Sequence, residues 1–162
     1  MKNVFVDINH GQWPLIHYID VMPKSQIEAV WFEKIFAENR WSDAWRNGVF
    51  SFHHYHSTAH EVLGCYAGSA VVQFGGPKGP HVEFRAGDAV VIPAGVGHCL
   101  ISADNRFQVV GAYPEGTYPD LMRGEPEKNE SALKRSLSVP LPPRDPMFGL
   151  EGPLKEKWND RP

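Results

Sequence analysis

His53-His54-Tyr55-His56-Ser57-Thr58-Ala59-His60-Glu61 is the stretch on which the fold turns: four of its nine residues are histidines, and a fifth, His98, follows the turn Pro93-Ala94-Gly95. On a strand, alternate side chains share a face, so His54 and His56 point the same way with Tyr55 and His53 opposed. The result is a two-pronged imidazole chelate. A turn through Ser57 to Ala59 brings Glu61, on the next strand, back beside that pair, and His98 sits in a later strand. Three imidazoles and one carboxylate suit Fe, Mn, Ni, Co, Cu or Zn better than Mg or Ca, which prefer all-oxygen shells. The cofactor expected is one divalent transition metal per chain on His54, His56, Glu61 and His98. His60 competes with Glu61 for the fourth place, and alternation lets only one of two neighbours face inward.

Around this stretch the pattern is one of short β-rich runs separated by glycine and proline, as in an antiparallel sandwich or small barrel. Candidate strands are Val49 to Tyr55, Glu61 to Tyr66, Ser69 to Phe74, His81 to Phe84, Ala89 to Ile92, His98 to Ser102 and Phe107 to Ala112. Residues 75–80, Gly-Gly-Pro-Lys-Gly-Pro, form a loop, and Ala86-Gly87-Asp88 a turn. Phe50 and Phe52 share the inward parity of His54, and Leu63 and Cys65 that of Glu61, so these four are candidates to line an apolar pocket around the ion; barrel packing is the plainer reading of all four.

Three regions follow: 1–47, an N-terminal strand and helix extension; 48–113, the barrel core; and 114–162, a Pro-rich arm holding nine of the 14 prolines. Lys2 to Val6 reads as an edge strand, and Trp13-Pro14 as an extended link. Ser25-Gln26-Ile27-Glu28 fits a capping box, with Ile27, Val30, Trp31, Ile35 and Phe36 recurring at helical spacing up to about Asn39. Trp31, Trp41 and Trp45 could form an aromatic cage, but such spacing favours packing. In the arm, Glu127 to Leu137 forms a short helix, and Phe148, Leu150, Leu154 and Trp158 anchor an extended segment on the domain or on a partner subunit.

With 162 residues, 42% of them hydrophobic, the chain can bury one core. A net charge of −3 lacks the cationic excess that grips phosphate backbones, so nucleic acid is not an expected partner. No run reaches a membrane span and Met1 to Pro14 holds no apolar signal core, so the expected address is the cytoplasm, with no membrane association. Cys65 and Cys99 cannot staple a chain of this size and are expected as buried thiols without a redox role.

The spacing resembles the cupins, small β-barrels with two signature stretches. Gly48, His54, His56, Glu61 and Gly68 fill every fixed position of the first, and Gly87, Pro93, Gly95 and His98 those of the second, except that Ser102 stands where the family has Asn. The flanking sequences, His54 to Gly64, Ile92 to His98 and Val110 to Pro114, are similar to those of the small single-domain YjlB-like bacterial cupins. The resemblance implies a mainly β fold: a single jelly-roll barrel, or double-stranded β-helix, with an N-terminal helix and the Pro-rich arm. It also implies Glu61 as the fourth metal ligand, leaves His60 beyond the ligand shell or facing outward, and makes a homodimer the expected assembly.

Ligand count then frames the chemistry. Four protein ligands saturate a tetrahedral Zn but leave two open positions on an octahedral Fe, Mn or Ni. Open positions admit a small oxygenated metabolite, with Glu61 available as a mobile base, which is the reading of a metal-dependent oxygenase, isomerase or lyase. The alternatives are a non-catalytic sensor or carrier of a small ligand, and a barrel with a structural metal site.

Overall fold

Eleven strands are found among the described residues, 2–8 and 12–159, of the computed structural model. They are Lys2–Val6 (β1), Leu15–Ile19 (β2), Trp41–Asn47 (β3), His54–Tyr55 (β4), Glu61–Ala67 (β5), Ser69–Phe74 (β6), His81–Arg85 (β7), Ala89–Ile92 (β8), His98–Ala103 (β9), Gln108–Pro114 (β10) and Met122–Arg123 (β11). The helices are Ala29–Glu38 (α1), Glu130–Leu137 (α2) and Pro153–Lys157 (α3). One sheet has the order β1-β2-β8-β5-β10-β3 and the other β11-β4-β9-β6-β7, with antiparallel pairing throughout. This is the mainly β, two-sheet architecture of a jelly roll.

Alternation along the first sheet sorts its side chains into two cores. Leu63, Cys65, Val90, Ile92 and Val109 face the second sheet and pack with Val72, Phe74 and Phe84 inside the barrel. Val62, Ala89, Val91, Val110 and Ala112 face the other way, against Phe32 and Phe36 of α1 and against Leu154 and Trp158. Gly64 lies on that outer face because the Phe32 ring leaves no room for more: a Cβ there would sit 2.4 Å from Phe32 Cδ1.

Sequence and structure differ on four local points. The expected strand from Val49 to Tyr55 is reduced to β4, and β3, an edge strand paired with β10, was not expected because its mixed polar face hides its periodicity. β2, buried in the sheet between β1 and β8, is an apolar run too short to announce itself. The capping box does not form: Ser25 lies in a 3₁₀ turn, and α1 starts after Glu28 with no side-chain cap. Val30 faces solvent, and Phe32 takes the buried position expected of it. The end of the helix, at Asn39, is as expected.

β3 carries a bulge with a large effect. Gly111 pairs with Trp45 and Tyr113 with Ser42, so β3 holds one residue more than β10, and Asp43 absorbs it at φ +57°. The extra residue reverses the alternation between Trp41 and Trp45. Trp41 joins the outer core and donates from Nε1 to the Arg144 carbonyl (3.0 Å), whereas Trp45 turns into the barrel.

The segment after β10 is tied to the outer face through Asp145, which is fully buried. Its carboxylate accepts from Tyr18 Oη (2.8 Å) and from the N–H groups of Met147 (2.8 Å), Phe148 (3.1 Å) and Leu154 (3.0 Å). Trp13 and Trp158 stack with ring centroids 5.4 Å apart, Trp158 Nε1 donating to the Pro14 carbonyl and Trp13 Nε1 to the Asn159 carbonyl. No described helix is long and apolar enough to cross a membrane. Because Asp145→Ala strands four donors, those of Tyr18 and Leu154 buried, it is expected to lower stability by about 3 kcal/mol, read as a shifted urea midpoint at unchanged slope.

Candidate metal centre

Three imidazoles converge inside the barrel. His54 on β4 and His98 on β9 are direct cross-strand partners with ring centroids 4.0 Å apart, and His56 follows just past the end of β4, its carbonyl accepting from Gly95 N–H at 2.8 Å. One nitrogen from each of His54, His56 and His98 lies within 4.8 Å of the others. Each ring is oriented by a backbone carbonyl: His54 Nδ1–H donates to Phe52 (2.9 Å), His98 Nδ1–H to Val96 (3.3 Å) and His56 Nδ1–H to Asp120. A carbonyl can only accept, so Nδ1 carries the proton and a neutral ring presents its Nε2 lone pair inward.

Glu61, at the start of β5 and 2% exposed, lies against two of the three imidazoles: Oε1 is 3.3 Å from His98 Nε2 and 3.5 Å from His56 Nε2, while the mutually close cluster itself is His54, His56 and His98. Burial alone would raise its pKa, but the imidazoles of His56 and His98 hold it well below the usual carboxylate range. His56 is the counterpart: burial lowers it, and the Glu61 carboxylate outweighs that and holds it above the ordinary value. Burial and the neighbouring His98 push His54 down to about 4. The Tyr113 hydroxyl donates to Glu61 and accepts from Trp45 Nε1 (2.8 Å), and burial followed by the Glu61 charge drives its pKa up.

A cavity of about 370 Å³ opens onto these groups. Its wall includes Trp45, Val49, Phe50, Leu63 and Tyr113, with Arg46 and Asn47 among the polar residues. Arg46 is held by Glu33 through two bonds of 2.9 and 2.6 Å. Of the residues expected around the site, Phe50 and Leu63 line the cavity. Phe52 instead stacks on Phe50 and meets His54 edge-on, and Cys65 lies deeper in the barrel core, its thiol pushed up to about 12 by burial. Both cysteines are free and buried. Trp45, weighed above for an aromatic cage and set aside as packing, lines the cavity because the bulge reverses the parity it would share with Trp41; Tyr113 was not legible, lying outside the spaced motifs.

A family model described as cupin matches residues 42–116. Over 150 residues the chain is 43% identical to the uncharacterized protein YjlB of Bacillus subtilis (strain 168), an alignment that spans 93% of this chain and 88% of that protein. The chain belongs to the cupin family. The matched region of this cupin begins inside β3, ahead of Gly48, in keeping with the pairing of β3 to β10.

In this cupin His60 neither reaches the imidazole cluster nor faces outward; it is 1% exposed and serves the frame. Its Nδ1 accepts from Ala94 N–H (2.8 Å) in the turn before His98, and its Nε2–H donates to the Pro140 carbonyl (3.1 Å). The rings of Trp13 and Trp158 meet it edge-on. Burial, only partly offset by the Pro140 bond, lowers its pKa to about 4. An unfolded histidine titrates near 6.5, so as pH falls the unfolded chain takes the proton first. Stability from this group is complete above about pH 6.5 and is lost towards pH 4, by about 3 kcal/mol in all. Urea unfolding across that window is expected to show a shallower acid dependence in His60→Gln than in the wild type; equal slopes would refute the assignment.

Proposed function

We propose that this cupin holds one divalent transition metal ion on His54, His56, His98 and Glu61, and that a small oxygenated molecule meets the ion from the adjoining cavity. The observation that carries the reading is the direction of the lone pairs. With each Nδ1–H committed to a carbonyl, two Nε2 lone pairs face one oxygen of a buried carboxylate at 3.3 and 3.5 Å. Such a group repels itself unless a cation lies among its members. A proton on His56 supplies part of that charge, and a metal ion supplies all of it, with the donor types that Fe, Mn, Ni, Co, Cu and Zn favour.

When bound, the ion would supply Lewis acidity to a carbonyl or enol oxygen. The chain's own residues do the rest. Trp45, Val49, Phe50 and Leu63 give an apolar wall that excludes water and accepts a hydrocarbon or ring portion of the ligand, and the cavity volume restricts that ligand to a small metabolite. Glu61 is better suited to be a fixed anionic ligand than a mobile base, because two imidazoles and the Tyr113 hydroxyl hold it and its low pKa makes it a poor proton acceptor. Chemistry that needs little proton shuttling, or reversible binding of a ligand without turnover, fits that arrangement, and substrate-dependent turnover is what separates the two.

Untagged protein is expected to carry close to one metal ion per chain by elemental analysis. His56→Ala and His98→Ala should each weaken binding by more than about 100-fold, beyond the range of changes outside the ligand shell. Acid should release the ion as protons take the Nε2 lone pairs. Either variant binding metal like the wild type would refute the ligand set. Iron, manganese or nickel with turnover supports an oxygenase, isomerase or lyase, and tightly held zinc without turnover supports a structural site.

A further inference from the structure

Of the three imidazoles, His56 has the weakest local support. Its side chain is 12% accessible against 2% for His98, and it lies beyond the last residue of β4. What orients it is a residue 64 positions later in the chain. Asp120 binds residues 56–58 with all of its polar groups. Its carboxylate accepts from Ser57 N–H (2.6 Å) and from the Ser57 hydroxyl, its N–H donates to Thr58 Oγ1 (2.9 Å), and its carbonyl accepts the His56 Nδ1 proton. Thr58 Oγ1 in turn donates to the Tyr118 carbonyl (2.6 Å). Arg135 of α2 braces the contact, Nε donating to Ser57 Oγ at 3.1 Å and the guanidinium lying 3.9 Å from Asp120 Oδ2.

We propose that Asp120 is the positioning residue of the centre: by latching its own segment onto residues 56–58, it fixes the proton on His56 Nδ1 and the plane of the ring, and so sets how tightly the ion is held. The inference rests on the metal reading above. A loop held only for stability would need the Ser57 and Thr58 bonds alone. Here the same residue also presents the carbonyl that selects the tautomer of a ligand, which is the part that partners behind metal-bound histidines play. Coupling must run both ways, so a bound ion also holds the latch closed.

Cobalt(II) titration of the metal-free protein at neutral pH, followed by its visible absorption and by competition with a chromophoric chelator, tests this. Asp120→Ala is expected to weaken Co(II) binding by about 10- to 100-fold and to alter the absorption band. Asp120→Asn, which keeps an oxygen for Ser57 N–H, should recover most of the loss. In the wild type, Co(II) should slow hydrogen exchange at the amides of Ser57 and Asp120. Wild-type affinity and spectrum in Asp120→Ala overturn the positioning role and leave the metal reading standing, whatever happens to the melting temperature. If the wild type itself binds no Co(II), the metal reading and this inference fall together. Should Asp120→Ala not fold, the double variant Ser57→Ala with Thr58→Val, which removes both hydroxyls that meet Asp120, takes its place, and unchanged affinity and spectrum in it overturn the proposal equally.

Discussion

A carboxylate 2% exposed inside an apolar barrel must be compensated, and the arrangement around Glu61 follows from that requirement. His56 and His98 approach one of its oxygens, the Tyr113 hydroxyl binds it, and Trp45 steadies Tyr113. Each imidazole is aimed by a carbonyl behind it, so the rings cannot turn away to relieve the crowding of their lone pairs. The proposed ion is the element that would make this group favourable at neutral pH. Without one, part of the charge must come from protons, which His56, raised by Glu61, takes before His54, lowered by burial.

The barrel serves this group from two sides. Interior side chains of the first sheet fill the space between the sheets, and its outer face is closed by α1 and the residues around Asp145. The bulge at Asp43 joins the two, for one inserted residue sends Trp41 to the outer core and Trp45 to the cavity. Gly111 accommodates the result: a Cβ there would lie 2.2 Å from Trp45 Cζ2. The cavity wall thus depends on a backbone irregularity as much as on the side chain that forms it.

The spacing of His54, His56, Glu61 and His98 was legible because strand alternation and short turns bring such residues together over small sequence distances. Most barrel strands were legible for the same reason, being bounded by glycine and proline. The place of Trp45 in the cavity was not, since a bulge reverses parity and Asp43 does not announce a left-handed conformation as glycine would. β3 was hidden by the polar face of an edge strand. Asp120 was beyond reach: its partners lie more than sixty positions upstream, and nothing local distinguishes it from other exposed-loop aspartates. His60 was legible as lying outside the ligand shell but not in its role, because its partners, Ala94 N–H and the Pro140 carbonyl, are main-chain groups that no pattern reveals.

The Trp13–Trp158 stack joins residues near opposite ends of the described chain, and both rings lie against His60. On the ribosome, therefore, the sheets can pair while the wall behind the Pro93-Ala94-Gly95 turn is still open, and that wall closes only after Trp158 has emerged. Contacts of such long sequence separation also carry the largest loop-closure entropy during refolding. Completion of the barrel is in this sense a late event in the life of the nascent chain, and the turn that leads into His98 gains its final support at the same moment.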